Sequence, residues 1–269
     1  MGRLVSRRPW FAVALLVAGA ACASKGPPFL QPALTTTSAP GASIGTAPPP
    51  GPPGNVTLLV TGLRLVDSEE SDNAFRALVD SSAADLTVKV TGVPTPNKVI
   101  LVCPANDLDK HTAAADACVM PASGAETKVP HGPDNRGVEI VQVGVTGAGA
   151  AGNSTAISEI AITYAATSRH VQFRLPSMQQ GEGGSQPVFR MTPVGPGSYS
   201  AMASFAATGT PPPEEAELAL VSGTANQNLA RGPAPSLSGT LNPPADAGFR
   251  IRNSGSLALT KVTLDAQFP

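Results

Sequence analysis

Short apolar runs that alternate with polar residues recur from Asn55 to the last residue, with almost nothing at helical spacing. "DLTVKV" is the plainest of them: Leu86, Val88 and Val90 fall on one side, Asp85, Thr87 and Lys89 on the other. Successive side chains of a strand point to opposite faces, so this period of two reads as a half-buried strand. "KVILVC" (98–103) and "VEIVQVGV" (138–145) are continuous apolar runs, as expected of central strands buried on both faces. "ISEIAITYAAT" puts Ile160, Ile162 and Tyr164 on one face, and "HVQFRLP" supplies a further strand before Pro176. With "NVTLLVTGLRLV" in front, residues 55–176 hold roughly seven strands separated by Gly, Pro and Asn turns, which is β-sandwich spacing.

Composition agrees. Hydrophobic residues make up 42% of the 269, enough for a core, while only 14% are charged and Gly (27) and Pro (28) are abundant. Such a balance favours short strands and many turns over long solvated helices. The helical candidates are "NAFRALVD" (73–80) and the alanines at 113–115. "SMQQGEGGSQP" (177–187) reads as a linker. Beyond it, residues 188–269 carry six more runs, forming either a second sandwich domain or the remaining strands of a single larger one. Tyr199, Ala201, Ala203, Phe205 and Ala207 alternate with Ser200, Met202 and Ser204, and Phe249 and Ile251 face opposite to Arg250 and Arg252. After "NSGS" the inward phase slips by one between Leu259 and Val262, which predicts a bulge.

The fold expected is therefore all-β, with one or two sandwich domains of Ig-like or jelly-roll-like arrangement. An immunoglobulin domain proper is disfavoured, because Trp10 is the only tryptophan and lies outside the sandwich. The strand pattern of 188–268, ending in "KVTLDAQF", resembles that of jelly-roll carbohydrate-binding modules, a likeness covering under a third of the chain. It implies sugar binding on exposed aromatic platforms, for which the region offers only Tyr199 and a few phenylalanines at core-like positions.

The first 24 residues say where such a fold would work. Arg3, Arg7 and Arg8 precede an apolar run from Trp10 to Ala21, then small residues. That run falls short of the ~20 apolar residues a membrane span needs and has the layout of a signal peptide, 1–21. "GAAC" (19–22) resembles the lipobox of bacterial lipoproteins, departing from it at Gly19. The resemblance implies that Cys22 receives a diacylglycerol and becomes the new first residue. Plain cleavage after Ala23 is the alternative, since "ACA" also fits a small-x-small site. "SRRPWF" is similar to a twin-arginine export motif, although any signal needs a positive start. Residues 22–54, rich in Pro, Ala and Thr, read as a disordered, extended tether lifting a folded head off a membrane.

Either cut removes Cys22 from disulfide chemistry, leaving Cys103 and Cys118 as a pair in an oxidising compartment. Their bridge would close a loop worth about 3 kcal/mol in the chain-entropy picture. Within it, Asp107, Asp109 and His111 are the metal-ligand candidates, but no EF-hand glycine follows and only one histidine is present. A solvated surface loop is the simpler reading.

Removal of the leader leaves 15 bases against 19 acids, which argues against nucleic-acid binding. No H-E-x-x-H, S-x-x-K or phosphate loop occurs, and "GVTGAGAAGNST" (144–155) lacks the lysine of a phosphate loop. Glu139 and Glu159 sit on strands as carboxylates that glycoside hydrolysis would pair. A hydrolase would also need His111, His131 or His170 beside a carboxylate in a cleft. The expectation is an exported, lipid-anchored cell-envelope protein, with secretion or a periplasmic location as the alternative. It acts as a non-catalytic binding or structural module, without a cofactor or bound metal. Its partners are the membrane, through the lipid, and an envelope protein or polysaccharide. A carbohydrate-binding module and a secreted hydrolase are the other readings.

Overall fold

The computed structural model describes residues 54–66, 73–92, 94, 98–144, 154–179, 185–207, 215–222, 225–241 and 246–269. The signal peptide, Cys22 and the tether up to residue 53 lie outside the described residues. So do 145–153 of the glycine-rich stretch and 180–184 of the expected linker.

Fifteen antiparallel strands are formed by the described residues. The first eight are β1 Asn55–Thr61, β2 Leu63–Val66, β3 Phe75–Ser81, β4 Asp85–Gly92, β5 Lys98–Ala105, β6 Glu126–Pro130, β7 Gly137–Gly144 and β8 Ser154–Arg174. The rest are β9 Val188–Thr192, β10 Gly197–Ala207, β11 Ala216–Ser222, β12 Ala225–Gly232, β13 Ser236–Leu241, β14 Gly248–Asn253 and β15 Leu259–Gln267. A 3-10 turn spans Ala115–Ala117.

The 21-residue β8 organises everything else. Residues up to Ala165 pair with β1, β2 and β4, whereas Ala166 onward pairs with β3 and β15. The hand-over runs through Ala165, Ala166, Thr167 and Ser168, small side chains that let a strand bend from one sheet into another. Two facing layers result. The first has the order β12-β11-β14-β9-β1-β8-β4-β6, with β2 prolonging β1, and the second β13-β10-β15-β8-β3-β7-β5. Rings interlock between them: Phe173 of the second layer meets Phe189 of the first at 4.4 Å between centroids, and Phe249 of the first meets Phe268 at 5.1 Å. Each such side chain, fully buried, contributes roughly 1.5–3 kcal/mol.

Strands of 188–269 are interleaved with those of 55–176, since β9 pairs with β1 and β15 with β8. The described residues form one compact unit with one hydrophobic core. At the described ends of 177–187, Met178 is buried and bridged to Leu259, and the Gln186 amide donates to the Gly62 carbonyl. Gly62, at φ +72°, is the hinge that separates β1 from β2, a conformation that favours glycine.

Several local readings need correction. Residues 75–80 form a strand, not a helix: Phe75, Ala77 and Val79 face the core, while Arg76 and Leu78 point outward but are also buried, which hides the alternation. β5 is an edge strand paired with β7 alone, so its apolar run marks cover from a loop rather than a central place. "ISEIAITYAAT" and "HVQFRLP" are halves of the single strand β8. The bulge stands where the phase slip put it: β10 and β15 change register between Ser204–Thr263 and Ala206–Thr260, and Lys261 has φ 51°.

Candidate functional site

The functional candidates gather around the loop between Cys103 and Cys118, whose sulfurs are joined at 2.06 Å. Cross-strand register sets Cys103, Glu139, Arg76 and Arg174 in one row across β5, β7, β3 and β8, on the outer face of the second layer. Outward charges on a sheet ordinarily meet water. Here Arg76, Glu139 and Arg174 are all buried, because the loop lies over them. Burying charges is costly unless each is partnered. Arg76 donates to Glu139 Oε1 at 2.6 Å and to the Leu108 carbonyl at 2.9 Å, Arg174 donates to Asp109 Oδ1 at 3.0 Å, and His111 Nδ1 pairs with Glu139 Oε2. Close packing beneath comes from Gly137, where a Cβ would stand 1.9 Å from the Ala77 carbonyl oxygen, so β7 can approach β3 only with glycine there.

This network places the expected metal candidates. His111 turns to Glu139, Asp109 to Arg174, and Asp107 Oδ1 accepts from the Asp109 amide at 2.7 Å. The three do not converge, and no other set of three His, Cys, Asp or Glu side chains does so among the described residues. Glu139 and Glu159 are not brought together either: Glu159 sits on the first-layer part of β8, 3.8 Å from Lys89.

Two histidines do meet carboxylates. Besides His111–Glu139, His170 Nε2 lies 2.8 Å from Asp265 Oδ1, and Gln172 donates to the other Asp265 oxygen at 2.9 Å. His131 Nε2 is 3.3 Å from the Val79 carbonyl oxygen. Nucleophilic catalysis needs a hydroxyl or thiol within reach of the base. Among the described residues none hydrogen-bonds a histidine ring. The buried Tyr164 is a further group without a hydrogen-bond partner, and burial together with the Asp80 charge pushes its phenol well above the ordinary tyrosine range, Arg169 opposing.

On leaving Cys118 the chain crosses from the second layer to the first. Val119 exchanges both backbone hydrogen bonds with Val102 of β5, then the Gly124 amide donates to the Val90 carbonyl of β4. Between these anchors lies a cleft of about 350 Å³, walled by Val90, Val99, Ile100, Met120 and Pro121. Met120 is 63% exposed and Val119 44%, both unusual for apolar side chains of this size. The sequence marked the disulfide but not this cleft, because its walls are distant in the chain and "VMP" has no periodicity of its own.

Comparison with known protein families, characterised proteins and solved structures found no match.

Proposed function

We propose that this chain is an exported envelope protein of a bacterium, anchored by a lipid on Cys22, whose β-sandwich head acts by binding rather than catalysis. The observation that carries the binding part is the apolar cleft with the exposed Met120 in its wall. A disulfide fixes the segment that forms one wall, so the surface is prepared before any partner arrives. The partner that fits is an envelope protein inserting an apolar side chain. The leader, the lipobox resemblance and the Pro-rich tether support export and anchoring, and the bridge fits an oxidising compartment.

Mass spectrometry of the mature amino terminus under non-reducing conditions tests the anchor: a diacylglycerol mass on Cys22 is expected, and an unmodified chain starting at Ser24 would sink it. For the cleft, a Cys22→Ala form is titrated onto washed envelopes with and without Met120→Glu. Loss of binding on the Met120 change is expected; equal retention of both forms removes the cleft from the proposal. The pair His111–Glu139 is where a hydrolase reading would start, and a hydrolytic activity abolished by His111→Ala would favour it.

A further inference from the structure

The outer face of the first layer carries a second row of charge, and this one is not covered. Register aligns Arg231, Glu217 and Arg252 across β12, β11 and β14. Arg250 lies two residues back along β14 on the same face, and Arg190 of β9 stands opposite Gly248, one step further. The Glu217 side chain is only 1% exposed, yet Arg231, Arg250 and Arg252 remain 54%, 22% and 38% exposed above it. Arg231 donates two hydrogen bonds to Glu217 Oε2 at 2.9 and 2.7 Å, and Arg252 one at 2.6 Å. Arg250 reaches Oε1 at 3.4 Å and Asn226 Oδ1 at 2.8 Å.

One guanidinium suffices to neutralise a carboxylate. Three leave two positive charges uncompensated on a folded part that is net acidic, and like charges so close repel. Each guanidinium has five N–H donors, and among the described residues the three together use five hydrogen bonds, four to Glu217 and one to Asn226. Glu217 thus works as a hub for three partly exposed forks, with most of their donors unspent although the Nε of Arg250 and of Arg252 are themselves buried. Arg190 borders the patch, its Nε held by the Asp246 carbonyl at 2.9 Å, and Glu215 stands exposed at the start of β11.

The surrounding side chains narrow the class of anion. Phe189, Phe249 and Tyr164 of this layer are all buried, so the face has no ring on which a nucleic-acid base would stack. Leu229 is its one exposed large apolar residue, too little to seat in a bilayer surface. What remains is charge and hydrogen bonding: guanidinium forks for carboxylates and the Asn226 amide for hydroxyls. We propose that the Arg231–Arg250–Arg252 face binds the carboxylate groups of an acidic polysaccharide. This does not depend on the lipid anchor or on the apolar cleft, which belongs to the opposite end of the layer.

Isothermal titration of the purified full chain carrying Cys22→Ala, so that no lipid reaches the vesicles, with sodium polygalacturonate tests it, with neutral dextran, a single-stranded oligonucleotide and phosphatidylglycerol vesicles as competing probes. Binding that weakens with salt is expected, and Arg250→Gln with Arg252→Gln should weaken it by about ten-fold or more. Lys110→Gln, which removes from the loop on the other layer the one positive charge that Arg250→Gln alone removes here, should leave it unchanged. Arg250→Gln alone keeps both partners that hydrogen-bond most closely to Glu217, so it reads the same effect if the double variant melts early. Equal binding by the folded variants overturns the proposal. So does oligonucleotide or vesicle binding as tight as that of the polysaccharide.

Discussion

Each layer of the sandwich carries a row of charge on its outer face, and the two rows are handled in opposite ways. In the second layer, Arg76 and Arg174 are matched by Glu139 and Asp109, His111 completes the set, and a disulfide-closed loop buries Arg76, Glu139 and Arg174 while its own Asp109 and His111 stay at the surface. In the first layer, Glu217 faces three arginines, none of the described residues covers them, and the surplus charge is left in solvent. A sealed row must balance, because an unmatched charge out of water costs several kcal/mol. An open row need not balance, because water screens the surplus. Imbalance on an exposed face is therefore informative in a way that the buried network is not: the buried network is explained by packing, whereas the exposed surplus invites a ligand.

The comparison breaks most visibly at Glu139. Glu139→Gln leaves Arg76 buried with a neutral partner, and a loss of about 3–5 kcal/mol in unfolding free energy is expected by urea titration. A loss under about 1 kcal/mol would mean that water reaches Arg76 and that the row is not sealed. Next in size is the clamp. Replacing Cys103 and Cys118 together by Ala should cost about 3 kcal/mol. It should also speed amide exchange at Val102 and Val119, whose backbones hydrogen-bond each other, while β11 and β14 exchange as before. Unchanged protection around Val119 would show that the charge network alone holds the loop.

How much of this was legible follows from the range of each signal. The period-two runs at 85–90, 160–164 and 249–252 are local, and all three lie on strands with the faces they indicated. So was the slip before Val262, since a bulge changes inward phase within a few residues. The strand at 75–81 was misread because a loop more than 25 residues away covers its outer face, which turned an alternating pattern into a uniformly apolar-looking one. The edge place of β5 was hidden for the same reason. Arg250 and Arg252 were placed on an outer face from sequence alone, but Glu217 lies on another strand. Only cross-strand register brings Arg231, Glu217 and Arg252 into line.

The smallest expected effect sharpens the open row. Burial by itself would raise the Glu217 carboxyl, but the hydrogen bonds and charges of Arg252 and Arg231 outweigh it and hold the group below its ordinary value of 4.5. In the unfolded chain the carboxyl has its ordinary affinity for protons; in the folded chain it has less. The ionised carboxylate therefore stabilises the fold in full above about pH 4.5, and that contribution drains away as the pH falls from there through the lowered folded value. Glu217→Gln removes the titrating group while keeping an oxygen that accepts from the arginines. Measured by urea titration in steps from pH 6 to pH 3, the stability gap between the natural chain and Glu217→Gln should be widest at the top of that range and narrow towards the bottom. A gap that stays constant would mean the arginines do not hold Glu217 ionised. It would then bind protons alike in the folded and unfolded chain, and the three guanidiniums would owe their arrangement to something other than its charge.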